Sequence, residues 1–135
     1  MSTKRIVDAE ITLIPYYPNY EVTYEWYQDL DVCRQVDNID HPYSMERLKN
    51  MYEYLSTHGD CFYIEYQGTL VGDVTLRDSD EVCIVVCQEY QNKHIGRRCI
   101  REMIDLAKEK LNWQPTVKLE DGLKLTIKYF RENYL

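Results

Sequence analysis

Residues 82–98 read Val82-Cys83-Ile84-Val85-Val86-Cys87-Gln88-Glu89-Tyr90-Gln91-Asn92-Lys93-His94-Ile95-Gly96-Arg97-Arg98. The opening run is apolar on both faces and of strand length. It predicts a buried, central strand over residues 81–87. A polar loop, 88–94, follows. Residues 95–111 then place Ile100, Met103, Ile104, Ala107 and Leu111 on one helical face. A strand that passes through a short loop straight into a helix leaves the first helical N–H groups free, at the positive end of the helix dipole. Such a terminus binds anions, phosphates in particular. Gly96 lets a ligand approach the backbone closely. Lys93, Arg97 and Arg98 add local positive charge to a chain whose net charge is −7. The same residues also read as an ordinary helix start with solvated basic side chains.

Outward from this stretch, the pattern predicts a meander. Residues 61–66 and 69–77 are strands joined by a Gln67-Gly68 turn, and Asp78-Ser79-Asp80 turns the chain into the strand at 81–87. Upstream, residues 9–15 alternate, with Ile11 and Leu13 on one face, and Pro15 and Pro18 close the strand. Residues 21–29 suit a short helix with Val22 and Trp26 inward, and 31–43 a loop or broken helix. Ser44 is an N-cap for a helix with Met45, Leu48, Met51, Tyr52 and Leu55 on its face, ending at His58-Gly59. Downstream, Gln114-Pro115 breaks the long helix and 116–119 is short and extended. Leu119, Leu123, Ile127, Phe130 and Tyr134 mark a final amphipathic helix.

The 135 residues suit a single domain. With 16 Lys and Arg against 23 Asp and Glu, nucleic acid is not expected as a partner. No apolar run approaches the ~20 residues of a membrane span, and the N-terminus has no signal-peptide pattern, so a cytoplasmic protein with no membrane partner is expected. The five cysteines are odd in number and scattered, which predicts reduced core thiols rather than a disulfide framework. Cys83 and Cys87 share a strand face, but they lie roughly 13 Å apart along it, too far to grip one metal. No metal is expected.

Gln91-Asn92-Lys93-His94-Ile95-Gly96 resembles the Q/R-x-x-G-x-G/A motif of the GCN5-related N-acetyltransferases. The preceding Leu70-Val71-Gly72-Asp73-Val74-Thr75-Leu76-Arg77 hairpin, the strand beginning Glu81-Val82 and the Ile-Gly-Arg-Arg helix start match as well. The resemblance extends over residues 6–110. It implies an α+β (α/β) fold with a mixed, mainly antiparallel sheet flanked by helices. It also implies acetyl-CoA as cosubstrate. Val85, Val86 and Cys87 would contact the pantetheine arm, and Gln91, Asn92, Lys93, His94, Ile95, Gly96 and Arg97 the pyrophosphate. His94 stands where the family motif has its first glycine. If that position needs positive φ, His tolerates it better than most side chains.

Residues 106–130 resemble the C-terminal tail of nucleotide-sugar epimerases, dehydratases and decarboxylases, in Leu-Asn-Trp-Gln-Pro, Val-Lys-Leu-Glu-Asp-Gly-Leu and Ile-Lys-Tyr-Phe. No glycine-rich dinucleotide fingerprint accompanies them. One domain is therefore expected over 1–135, an acetyltransferase-like core over 1–110 with an atypical tail over 111–135. The sheet would be incomplete in its C-terminal half. The exposed edge of the 81–87 strand would be covered by 116–119 and the last helix, by a second copy in a homodimer, or left poorly covered.

Acetyl transfer to an amine needs a base for the amine, polarisation of the thioester carbonyl and protonation of the thiolate. A backbone amide near Val85 is the expected polarising group. Glu81 is the candidate general base, with Asp73 as alternative, and Tyr129 is the candidate acid. The acceptor is a small-molecule or peptide amine. Net negative charge suits a polyamine, an amino sugar or a peptide terminus. Two other readings stand beside this enzyme: a fused, non-catalytic protein that keeps the fold and coenzyme A binding, and an accessory subunit docking through its tail.

Overall fold

Gln67 and Gly68 both take positive φ, 49° and 85°. That pair of conformations matches the right-handed twist of the strands on either side and folds them into a tight hairpin. Around this turn the computed structural model describes residues 3–29, 33, 41–79 and 81–110, together with the backbone of 126–128. The strands are β1 (Arg5–Ile6), β2 (Ile11–Pro15), β3 (Gly59–Tyr66), β4 (Thr69–Arg77), β5 (Glu81–Val86) and β6 (Thr126–Lys128). The helices are α1 (Tyr20–Trp26), α2 (Met45–Thr57) and α3 (Ile95–Lys110). The sheet order follows the chain, β1-β2-β3-β4-β5-β6. The first five strands are antiparallel to their neighbours, and β6 runs parallel to β5. Among the described residues no helix is long and apolar enough to cross a membrane.

Alternation along the strands divides the sheet into two faces. One face carries Ile11, Leu13, Phe62, Ile64, Val74, Leu76, Val82, Ile84 and Val86, packed under Ile95, Cys99, Ile100, Met103 and Ala107 of α3. The other carries Cys61, Tyr63, Cys83 and Val85 beneath Trp26, Tyr27, Leu48, Tyr52 and Leu55 of the α1–α2 side. The β3–β4 register shifts between Ile64 and Glu65, so Val71 is an extra residue on β4 and joins the α3 face. Ser44 caps α2 as the sequence predicts, its Oγ accepting from Arg47 N–H at 3.1 Å. Cys33, Cys61, Cys83 and Cys99 are buried, Cys87 is half-buried, and none of the five forms a disulfide.

The structure departs from the sequence reading in three places. On α1 the inward residue beside Trp26 is Thr23, fully buried, while Val22 is 37% exposed. Met45 likewise lies outside the buried face of α2. The largest change is in the tail. Thr126–Lys128 is a strand, within the segment whose spacing predicts a helix. It pairs Glu81 with Thr126, Val82 with Ile127 and Cys83 with Lys128. Unpaired N–H and C=O groups on the β5 edge recruit a strand from a segment with only a local helical pattern, and β-branched Thr126 and Ile127 suit that role. The 116–119 segment lies outside the described residues. The edge for which the sequence suggested a second copy is thus covered, along its first half, by the chain itself.

Candidate active site

A cavity of about 340 Å³ opens between the sheet and α2. Strand alternation aims Asp73 and Arg77 of β4 and Cys83 and Val85 of β5 into it, while α2 contributes Arg47, Asn50, Met51, Tyr54 and Leu55 at helical spacing. Tyr27 and Tyr43 complete the lining, their rings 4.9 Å apart. Behind it stands a wall of tyrosines in which Tyr16 stacks on Tyr52 at 5.2 Å.

Asp73 forms the floor, 2% exposed. Tyr27 and Tyr52 each donate a hydroxyl to its Oδ2 at 2.8 Å. Oδ1 makes no hydrogen bond to the described residues, so it remains available within the cavity wall. Burial disfavours the carboxylate more than the two hydroxyls favour it, and the pKa rises to about 6. Burial, then the charge of Asp73, pushes both tyrosines well above the ordinary phenol value, so they remain donors. Burial also pushes the Cys83 thiol up to about 11. It is protonated at neutral pH, which removes it as a nucleophile.

The second feature is the passage from β5 to α3. After β5 a 3₁₀ turn, Gln88–Tyr90, leads to the helix at Ile95. Asn92 and His94 both have positive φ, 66° and 61°. The position where the family motif has glycine therefore does use the left-handed conformation, and His occupies it. Gln91 Nε2 donates to Val86 O at 2.9 Å, so this side chain fastens the loop to the end of β5. Arg98 is committed to the fold: it bonds Asp8 and Glu10 at 3.0 and 2.9 Å and reaches the Lys93 and His94 carbonyls at 3.3 Å. Lys93 is exposed, Arg97 half-buried, and Ile95 and Gly96 buried at the helix start.

The edge of β5 away from β4 meets this helix mouth. Cys87 N–H donates to Val71 O at 2.8 Å. Hydrogen-bonding direction alternates along a strand, so Val85 also faces β4, while the N–H groups of Ile84 and Val86 turn to the opposite edge. A Cβ at Gly72 would fall 2.0 Å from Val85 O, which shows how closely β4 holds that side. β6 pairs no further than Cys83. Beyond it, no described strand adjoins β5 on that side; Ile84 and Val86 turn their N–H groups there, while the Val86 carbonyl is taken by Gln91.

Of the residues singled out from sequence, Val85 lies on the cavity side of β5 and Val86 on the α3 face, with Cys87 just past the strand end. Residues 91–97 gather at the mouth of α3. Glu81 opens β5 but does not line the cavity; its carboxylate is ion-paired with the Arg77 guanidinium. Tyr129 lies outside the described residues. Sequence reasoning names Asp73 only as an alternative base; it reads the tyrosines around 16–27, 43, 52 and 54 as an acceptor-pocket lining or as half-buried packing, and misses that Tyr27 and Tyr52 bond Asp73 and that Arg47 lines the cavity. An Asp alternating with valine and threonine within a core strand is the signal that marks Asp73. Nothing local ties it to tyrosines 46 and 21 residues away.

The family model described as Acetyltransferase (GNAT) family matches residues 21–125. The chain belongs to the acetyltransferase (GNAT) family. The match continues past residue 110, where the sequence reading ends the resemblance. Solved GNAT structures share the fold. A probable acetyltransferase superposes with a TM-score of 0.60 at 20% identity, over 82% of this chain and 69% of its own. An acetyltransferase from Salmonella typhimurium that modifies the N-terminal serine of a ribosomal protein superposes at 0.64 and 10% identity, over 82% and 71%. The microcin C7 self-immunity acetyltransferase, in complex with acetyl-CoA and AMP, superposes at 0.57 and 16% identity, over 77% and 66%. None of the curated proteins matches the chain by sequence. Among the described residues no group of three His, Cys, Asp or Glu side chains could hold a metal ion.

Proposed function

We propose that this GNAT protein transfers an acetyl group from acetyl-CoA to a primary amine bound in the cavity over Asp73. The observation that carries this reading is the junction of two features at β5: an edge that, past Cys83, no described strand pairs and that ends at a helix mouth, and a cavity floored by a buried carboxylate on its α2 side. The edge N–H groups of Ile84 and Val86, flanking Val85, have the direction needed to hydrogen-bond an extended amide-bearing arm and the thioester oxygen. The amides of 91–97 and the dipole of α3 suit a pyrophosphate, and Lys93 adds charge there. Solved relatives with acetyl-CoA or coenzyme A support the choice of cosubstrate.

The chemistry asks little of the protein beyond geometry and one proton. The amine nitrogen attacks the thioester carbonyl carbon, the C–S bond breaks and the amine proton must leave. Asp73 is the residue we assign to accept it, because it lines the cavity and has a free Oδ1 and a pKa near the working range. Glu81 is the second carboxylate, one turn of the hairpin away, and its pairing with Arg77 suits a role in holding that wall.

Calorimetric titration with coenzyme A tests the first half of this reading. Saturable binding is expected, and it should be lost in Gly96→Asp, which puts a charged side chain at the buried helix start. Folded protein that gives no heat at high micromolar coenzyme A removes the proposal. Thiol release from acetyl-CoA with a panel of amines tests the second half. Asp73→Asn should lower turnover about a hundredfold, and Glu81→Gln much less. Binding without turnover on any amine would favour the non-catalytic reading.

A further inference from the structure

Two arginines tie α3 to the sheet, at different ends of the helix. Arg5 of β1 reaches Glu102 and Glu109 at 2.8 and 2.6 Å, well along α3 from its mouth. Arg98 lies in the first turn, and its guanidinium reaches backward. Nε donates to His94 O and Nη2 to Lys93 O, each at 3.3 Å. Nη1 donates to Asp8 Oδ2 and Glu10 Oε1 at 3.0 and 2.9 Å. These two carboxylates belong to the turn between β1 and β2, where Asp8 Oδ1 accepts the Glu10 and Ile11 N–H groups, both at 2.8 Å. Glu10 Oε2 accepts from the Tyr66 hydroxyl and from Gln67 Nε2 at the β3–β4 hairpin. One side chain thus fastens the loop at the helix mouth to two turns of the sheet.

The consequence is directional. A trans peptide points its N–H opposite to its C=O. With the Lys93 and His94 carbonyls turned toward Arg98, the N–H groups of His94 and Ile95 point away from it, toward the mouth. Asn92 and His94 hold φ values of 66° and 61°, a conformation that side chains disfavour, so the loop needs a fastening to keep that direction. The sequence suggests Arg98 as local positive charge for a phosphate. In the structure its guanidinium is shared by two carboxylates and two carbonyls, and two acids against one base leave no positive surplus within the clamp.

We propose that Arg98 is a positioning residue for the diphosphate of coenzyme A: it holds the Lys93 and His94 carbonyls against the Asp8–Glu10 turn, aims the amides at the ligand and does not touch the ligand itself. This rests on the coenzyme A reading of the helix mouth. The opposing account makes Arg98 a cation beside the phosphates, and the two differ in sign at Glu10. On charge alone, Glu10→Gln removes a carboxylate, releases positive charge and tightens binding. On positioning, it loosens the clamp and weakens binding.

The experiment is calorimetric titration of the full chain with coenzyme A at about 0.15 M salt, where exposed charges more than about 8 Å apart are largely screened. Each variant is also melted. Arg98→Ala should weaken coenzyme A binding at least about tenfold. Arg98→Lys keeps the charge but not the planar fork that spans four acceptors, and should show most of that loss. Glu10→Gln should weaken binding severalfold. Arg5→Ala removes a comparable clamp far from the mouth; it should lower the melting temperature and leave coenzyme A affinity within about twofold of the parent. Should Arg98→Ala fail to fold, Arg98→Lys and Glu10→Gln decide. Tighter binding in Glu10→Gln overturns the proposal, as does parental affinity in Arg98→Lys. So does a folded Arg98→Ala that loses no more affinity than Arg5→Ala, since that is a purely structural role. Any of these with a parent protein that binds coenzyme A sinks this inference alone, whereas a folded parent that does not bind it sinks the coenzyme A reading and this inference with it.

Discussion

The two faces of the sheet are built from the same strands and do different work. Under α3 the buried side chains are aliphatic almost throughout: Ile11, Leu13, Ile64, Val74, Leu76 and Ile84 against Ile95, Ile100 and Met103. Under α1 and α2 the buried set includes Tyr27, Tyr43, Tyr52, Tyr63, Asp73 and Thr75. Closely packed hydrocarbon has no lone pairs to satisfy and holds the strands in register. The opposite face buries a carboxylate and hydroxyls, which must be hydrogen-bonded, and leaves a cavity over them. Residues one position apart on β4, Asp73 and Val74, belong to these two regimes. The difference teaches that the site stands on a rigid layer and that its polar groups are a stability liability the other face offsets.

That contrast can be broken by substitution. Ile64→Ala, on the α3 face, should lower stability by about 3 kcal/mol in chemical denaturation and leave ligand affinities of the folded protein unchanged. An equal effect on the cavity would show that the faces are not separable.

The second test uses pH. The Asp73 pKa is raised on folding to about 6, so the folded state holds this proton more tightly than the unfolded chain. Its contribution is fully present below about pH 4 and is lost as pH rises through about 6, for a change of the order of 2–3 kcal/mol. Glu10 and Glu109 act with the opposite sign, because Arg98 and Arg5 hold them below the usual carboxylate range and they lose stability as pH falls. The measurement is therefore a difference. Asp73→Asn should gain on the parent protein as pH rises from 4 to 7, and parallel pH profiles would show that Asp73 is not the buried titrating group.

Smaller effects sharpen the picture at the element ends. Ser44→Ala should cost about 1 kcal/mol through the lost cap of α2, visible as a lower denaturation midpoint. His94→Gly should relieve the left-handed backbone at the helix mouth and stabilise the protein by up to about 1 kcal/mol. A loss of stability there would mean that the imidazole is needed.

Much of this architecture is legible along the chain. The alternation at 61–66, 69–77 and 81–87, the Gln67-Gly68 turn and the Ser44 cap are local signals, and each element forms within a residue or two of its predicted place. The helix mouth after β5 is equally local, and His94 has the backbone conformation that its place in the motif implies. The cavity is legible only in part. Asp73 is noticeable as a carboxylate in an apolar strand, but its tyrosine partners come from α1 and α2. The tail misleads because Leu119, Leu123, Ile127 and Phe130 have helical spacing, whereas at 126–128 the open edge of β5 outweighs that preference.

The sequence by itself determined the meander and the strand-loop-helix junction that follows it, because these depend on the order of neighbouring residues. Only the tertiary structure decided that Asp73 rather than Glu81 floors the cavity, that Arg47 lines it, and that Thr126–Lys128 closes half of the β5 edge. Burial, ion pairing and edge pairing are relations between distant segments, and their energies exist only once the chain has brought those segments together.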